Sequence, residues 1–114
     1  MYVIRDLLGD ASTKAERQFG RGLLDNPRSY REYDSIEDLG TGFRGHEVKT
    51  GSPRYGNEVG QCERDGALLR TAASQLSQVV WHFVGHSRYG SMSVSSELLG
   101  CLERNGISFV IHAE

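Results

Sequence analysis

Apolar and polar positions along the chain change period several times, and each change marks a predicted element. Ala15, Phe19, Leu23 and Leu24 recur at helical spacing behind Ser12 or Thr13 as an N-cap, which predicts a helix over residues 12–24. Gly20 and Gly22 weaken it, and Asn26-Pro27 ends it. Over residues 29–36, Tyr30 alternates with charged residues before Tyr33 and Ile36, as in a strand or two short extended pieces. Gly40-Thr-Gly42 is a tight connection, and residues 43–50 form a second strand closed by Gly51-Ser-Pro53. So short a link predicts an antiparallel hairpin.

The second half alternates. Val59, Leu68, Leu69, Ala72 and Ala73 give residues 58–75 the apolar side of a helix. Gln78-Val-Val-Trp-His-Phe-Val84 is a strand rich in β-branched and aromatic residues, and residues 85–90 are a polar loop. A helix over residues 93–105, capped by Ser93, turns Leu98, Leu99 and Leu102 inward and ends at Asn105-Gly106. Residues 107–112 are a last buried strand. Strand–helix–strand order places residues 79–84 and 107–111 side by side and parallel. The expected fold is a single α/β domain over residues 1–114, a mixed four-stranded sheet with a hairpin on one side and helices on both faces.

Composition narrows the class without choosing a function. A chain of 114 residues buries one modest core, and its 38% hydrophobic and 25% charged shares are ordinary for a soluble protein. No run approaches a membrane span, and the N-terminal residues do not read as a signal peptide. Cys62 and Cys101 lack the paired spacing of a zinc site and are expected to be reduced and packed, with a disulfide as the alternative. The formal charge of −2 argues mildly against nucleic-acid binding. Eleven of the thirteen basic residues are arginine, the better residue for forked phosphate contacts, and only Lys14 and Lys49 are lysine.

The chemistry lies in Phe43-Arg-Gly-His-Glu-Val-Lys-Thr50. In a strand Glu47 and Lys49 project from the same face. A carboxylate beside an ammonium suits metal-assisted phosphodiester hydrolysis: the carboxylate holds a divalent cation, and the lysine orients a water and balances transition-state charge. One glutamate holds Mg²⁺ weakly, so a second acid is needed. Asp34, across the hairpin, is the expected partner, with Glu37 and Asp38 as rivals. His46 alternates with Glu47 and should face away, and His82 reads as a core histidine.

Asp34, Gly45-His-Glu-Val-Lys-Thr-Gly51 and Gln61-Cys-Glu-Arg-Asp65 together resemble the PD-(D/E)xK nuclease superfamily. They are most similar to the restriction-endonuclease-like toxin domains at the C-termini of bacterial polymorphic and contact-dependent growth inhibition toxins. The resemblance spans roughly residues 12–111. It departs from the family pattern where Tyr33, not proline, precedes Asp34. It implies a restriction-endonuclease-like fold and a catalytic set of Asp34, Glu47, Lys49, Gln61 and Glu16. Asp34 and Glu47 would hold Mg²⁺, or another divalent cation such as Mn²⁺ or Zn²⁺. Arg44, Arg54, Tyr55 and His86 border the site as candidate contacts for a DNA or tRNA substrate. It further implies a monomer paired with an immunity protein, delivered to act in a target-cell cytoplasm, with no membrane binding by this domain.

Two other functions fit the same residues. A non-catalytic binding module of the immunity or adaptor kind would use Glu47 and Lys49 as a structural ion pair. A metal-independent ribonuclease would pair His86 or His82 with Lys49.

Overall fold

A computed structural model describes residues 13–14, 19–20, 23, 30–50, 57–84 and 94–112. The strands are β1 (Thr13–Lys14), β2 (Ser35–Asp38), β3 (Phe43–Thr50), β4 (Leu76–Val84) and β5 (Ser108–His112). Helix α1 (Asn57–Leu69) and a 3-10 turn at Ala72–Ser74 join β3 to β4, and α2 (Ser96–Arg104) joins β4 to β5. The strands form one α/β mixed sheet of order β1-β2-β3-β4-β5.

The β2–β3 hairpin is antiparallel, as expected, and turns through Gly40 and Gly42, but its first strand is Ser35–Asp38 rather than residues 29–36. Gly40 has φ 82° and donates its N–H to Asp38 Oδ1 at 2.9 Å, a conformation that favours glycine. β3–β4 and β4–β5 are parallel, as the alternation of elements predicts. Both crossovers step in the same direction across the sheet, so right-handed connections put α1 and α2 on one face. There Cys62 and Leu68 of α1 and Leu98, Cys101 and Leu102 of α2 pack on Val79, Trp81 and Phe83 of β4. Both described helices cover this same face, and whether a helix covers the other, as expected, lies outside the described residues.

The helix expected over residues 12–24 is not formed at its described positions. Thr13 and Lys14 pair with Ile36 and Ser35 as an edge strand, and Phe19 bridges Arg31. Gly20, at φ 89°, lies so close to Leu68 that a Cβ there would come within 2.3 Å of its Cδ2. Long-range pairing has overridden a weak local preference.

The α1 helix is shorter than residues 58–75. Thr71 is extended (φ −114°, ψ 105°) and Gln75 left-handed (φ 63°), so the short 3-10 turn between them redirects the chain into β4. The cap of α2 is Ser95, whose Oγ accepts from Leu98 N at 3.2 Å; Ser93 lies outside the described residues.

Cys62 and Cys101 are joined in a disulfide linking α1 to α2, against the expectation of reduced thiols. Their separation of 39 residues carries no pairing signal. Packing of α1 on α2 brings them together, at the level where Gly66 lets Asn105 approach.

Candidate active site

Alternation along β3 sends Gly45, Glu47 and Lys49 to the helix-covered face, and His46 and Arg44 to the other. On the helix side Lys49 Nζ donates to Gln61 Oε1 of α1 at 2.6 Å and lies 3.3 Å from Glu47 Oε2. The ammonium also sits 5.3 Å from the centroid of the Trp81 ring. Strand and helix thus bring three sequence-predicted site residues, Glu47, Lys49 and Gln61, into one polar cluster.

Asp34 joins them from the end of the hairpin. The β2–β3 ladder ends at Ser35↔His46, and one step further Asp34 Oδ2 accepts the backbone N–H of Val48 at 2.7 Å. The side chain replaces a ladder bond and sets its carboxylate on β3 between Glu47 and Lys49. Its other oxygen, Oδ1, accepts no hydrogen bond from the described residues. The rival acids lie elsewhere: Asp38 bonds the hairpin turn and Glu37 faces the opposite side of the sheet.

A second layer holds Glu47. Buried Arg31 reaches Glu47 Oε1 through Nη2 at 3.2 Å and Asp65 Oδ1 through Nε at 2.7 Å, with its guanidinium 4.8 Å from the Tyr33 ring centroid. Asp65, with no exposed surface, also accepts from Tyr33 Oη at 2.5 Å and Trp81 Nε1 at 2.9 Å. A fully buried carboxylate is tolerable because charged and neutral donors satisfy it from three directions. Asp65 sits one turn after Gln61, so α1 delivers both residues to the same face of the cluster.

Arg31 is the residue sequence reasoning missed. Its single local signal is that it shares an extended face with Tyr33, two residues on. Asp65 was visible only as a helix neighbour of Gln61.

The charges are mutually set. Burial pushes the Glu47 carboxyl up, Lys49 and Arg31 pull it down, and Asp34 adds to the rise; it stands above the ordinary carboxylate range. Burial opposes the Arg31 charge, but Asp65 outweighs it and holds the guanidinium still more firmly protonated. Burial, reinforced by Asp65, keeps the Tyr33 hydroxyl protonated and therefore a donor.

Arg44 and His82 fall on the other face of the sheet. Arg44 is not beside Glu47: as its strand parity requires, it bonds Glu37 and Gln78 on the opposite face. His82 cannot pair with Lys49 for the same reason, and it lies between His46 and His112. His46 faces away from Glu47, as expected. Glu16, Arg54, Tyr55 and His86 lie outside the described residues.

The donors suit one kind of cation. Asp34 and Glu47 are hard oxygen ligands, and among the described residues no group of three or more His, Cys, Asp or Glu converges on a point. Two carboxylates fit Mg²⁺, which keeps several waters, and Mn²⁺ of similar preference. By themselves they are fewer than the three or four protein ligands of a zinc centre, and Glu16, a further acid expected at the site, lies outside the described residues.

Among the described residues no helix is long and apolar enough to cross a membrane. Comparison of the chain with protein-family models, curated proteins and solved structures returns no match.

Proposed function

We propose that this domain is a metal-dependent nuclease that hydrolyses phosphodiester bonds of DNA or RNA, tRNA among the candidates. The observation that carries the reading is the joint placement of Glu47 and Lys49 on one strand face, with Asp34 beside them and Gln61 2.6 Å from the ammonium. The role of a bacterial toxin effector neutralised by an immunity protein rests on the resemblance of the motif alone.

Asp34 and Glu47 would hold Mg²⁺ or Mn²⁺, and a bound ion supplies Lewis-acid polarisation and a more acidic water. The chain's own residues do the rest. Gln61 and Glu47 fix the Lys49 ammonium, which keeps one of its three N–H donors for a phosphate oxygen or the attacking water. Arg31, locked by Asp65, prevents Glu47 from swinging out of line.

One observation favours a second reading. Both oxygens of Glu47 already meet cations, and Asp65, Arg31, Glu47 and Lys49 make a charge-balanced run. Such a run also suits a structural network inside a protein-binding module.

Incubation of the domain with plasmid DNA and with total tRNA, each with Mg²⁺ and with excess EDTA, separates the two. Cleavage that EDTA abolishes and that Glu47→Ala and Lys49→Ala remove supports the nuclease. Intact substrate with folded protein, and tight binding of a cognate protein, supports the binding module.

A further inference from the structure

The sheet face opposite Glu47 and Lys49 carries an unbroken chain of titratable side chains, one from each of four strands. Glu37 of β2 bonds His46 Nε2 of β3. His46 Nδ1 lies 2.8 Å from His82 Nε2 of β4, and His82 Nδ1 lies 2.8 Å from His112 Nε2 of β5. The register explains the line: His82 is opposite Val48 and His112 opposite Val84, so each histidine lies two residues further along than the last. His46 and His82 are buried, and His112 is half-buried at the sheet edge.

Hydrogen counting fixes the tautomers. The Glu37 carboxyl is pushed up by burial, but bonds from His46 and Arg44 outweigh this and hold it below the ordinary range, so it only accepts. His46 Nε2 therefore carries a hydrogen, and its Nδ1, when the ring is neutral, is an acceptor. His82 must then donate from Nε2 and accept at Nδ1, and His112 must donate from Nε2. The nitrogen left bare is His112 Nδ1, at the edge.

Such a chain takes one proton and not two. A proton placed on His112 Nδ1 would disturb none of these contacts. With His112 charged, a proton on His82 Nδ1 would face the Nε2–H of His112 across 2.8 Å, hydrogen against hydrogen. We propose that the His82–His112 contact is an acid-released latch: it pins the C-terminal end of edge strand β5 to the sheet while either ring is neutral, and lets it go when His82 is protonated as well as His112.

Few other charged groups among the described residues lie on this face. Among the described residues β2 contributes Glu37 and β3 contributes Arg44 and His46; β4 adds the neutral Gln78, and α1 and α2 lie on the opposite face. Glu37 favours a proton on the chain and Arg44 opposes it. Burial, with His46 and His112 adding to it, pushes His82 down to about 4. β5 has one strand neighbour, β4, so its end depends on this link more than an inner strand would.

Long-range proton–nitrogen NMR on the whole chain tests the latch. At neutral pH all three rings should be Nε2–H tautomers. On acidification towards 4, amide exchange at Val110 and Ile111, corrected for intrinsic rate, should accelerate more than about tenfold as His82 titrates, while β2 and β3 stay protected. In His112→Gln the amide group can turn to donate or accept, so β5 protection should no longer follow His82. An Nδ1–H tautomer at His82, β5 opening unchanged in His112→Gln, or simultaneous loss of protection across the whole sheet would each overturn the proposal. Should His112→Gln fail to fold, the tautomers and the β5 exchange of the parent chain decide alone.

Discussion

Lys49 Nζ and Gln61 Oε1 lie 2.6 Å apart, and this bond fastens the catalytic strand of the proposed site to α1. Its two ends carry different expectations. Lys49→Ala should lower phosphodiester cleavage by about 10²–10⁴-fold, the usual range for a positioned proton-transfer or charge-stabilising group. Gln61→Ala, which leaves the ammonium in place but unanchored, should cost less, about tenfold to a hundredfold. Single-turnover rates with saturating Mg²⁺ measure both. Equal rates for the two variants and the parent would remove this cluster from the chemistry.

The pH dependence follows from Glu47. Its carboxyl stands above the ordinary value of 4.5, so it gains its proton earlier as pH falls. The ionised form is the one that would hold a cation, so activity should be lost as pH drops through this raised value. A cation competes with the proton, so raising Mg²⁺ should move the limb to lower pH. Rate–pH profiles at two Mg²⁺ concentrations check the direction, and a limb indifferent to Mg²⁺ would separate Glu47 from metal binding.

Asp65 should be a stability residue first. Asp65→Ala takes from buried Arg31 its closer carboxylate, leaving Glu47 at 3.2 Å, and leaves Tyr33 Oη and Trp81 Nε1 without their acceptor. Breaking a buried pair from one side costs about 3–5 kcal/mol. Urea denaturation should show a midpoint lowered accordingly, with Gln61→Ala nearly unchanged beside it because Gln61 is only part-buried.

What could be read from the sequence, and what could not, divides along local and non-local lines. The β2–β3 turn, β3, β4, β5 and the α2 C-terminus follow from nearby residues: alternation, Gly40 and Gly42, and Asn105-Gly106. Glu47 and Lys49 share a strand face, so their meeting is a matter of parity. Gln61 entered through the motif resemblance, and its bond to Lys49 needed the fold. Arg31 is one arginine among eleven, and nothing local says that Asp65 will aim it at Glu47. The strand at Thr13–Lys14 is invisible for the same reason, since its pairing depends on Ser35 and Ile36. Arg44 illustrates the converse error: closeness in sequence to Glu47 suggested the site, yet odd spacing along a strand placed it on the other face.

The disulfide between Cys62 and Cys101 supplies a test tied to the site through Gln61, the neighbour of Cys62. Closing a loop of 39 residues stabilises by about 4 kcal/mol on the chain-entropy account. Urea unfolding with and without reductant should differ by about that amount. Both sulfurs are buried, so reduction of the native protein should be slow and should speed up in urea.

Two glycines near the site should respond to alanine with opposite signs. Gly45 lies under the Tyr33 ring, and a Cβ there would stand 2.7 Å from Cγ and Cδ2. The ring cannot give way without moving the hydroxyl that bonds Asp65. Gly45→Ala should therefore cost about 1–3 kcal/mol from overpacking. It should also lower activity, because Asp65 holds Arg31 on Glu47. Gly60 sits inside α1, one residue before Gln61, and a Cβ there meets nothing within 4 Å among the described residues. Gly60→Ala should stabilise by about 0.5–1 kcal/mol through helix propensity alone, with activity unchanged. Paired urea and cleavage measurements on the two variants read the contrast. A Gly45→Ala protein as stable as the parent would mean that the Tyr33–Asp65 bond is not tightly held, and that the anchoring of Glu47 through Arg31 is looser than its distances indicate.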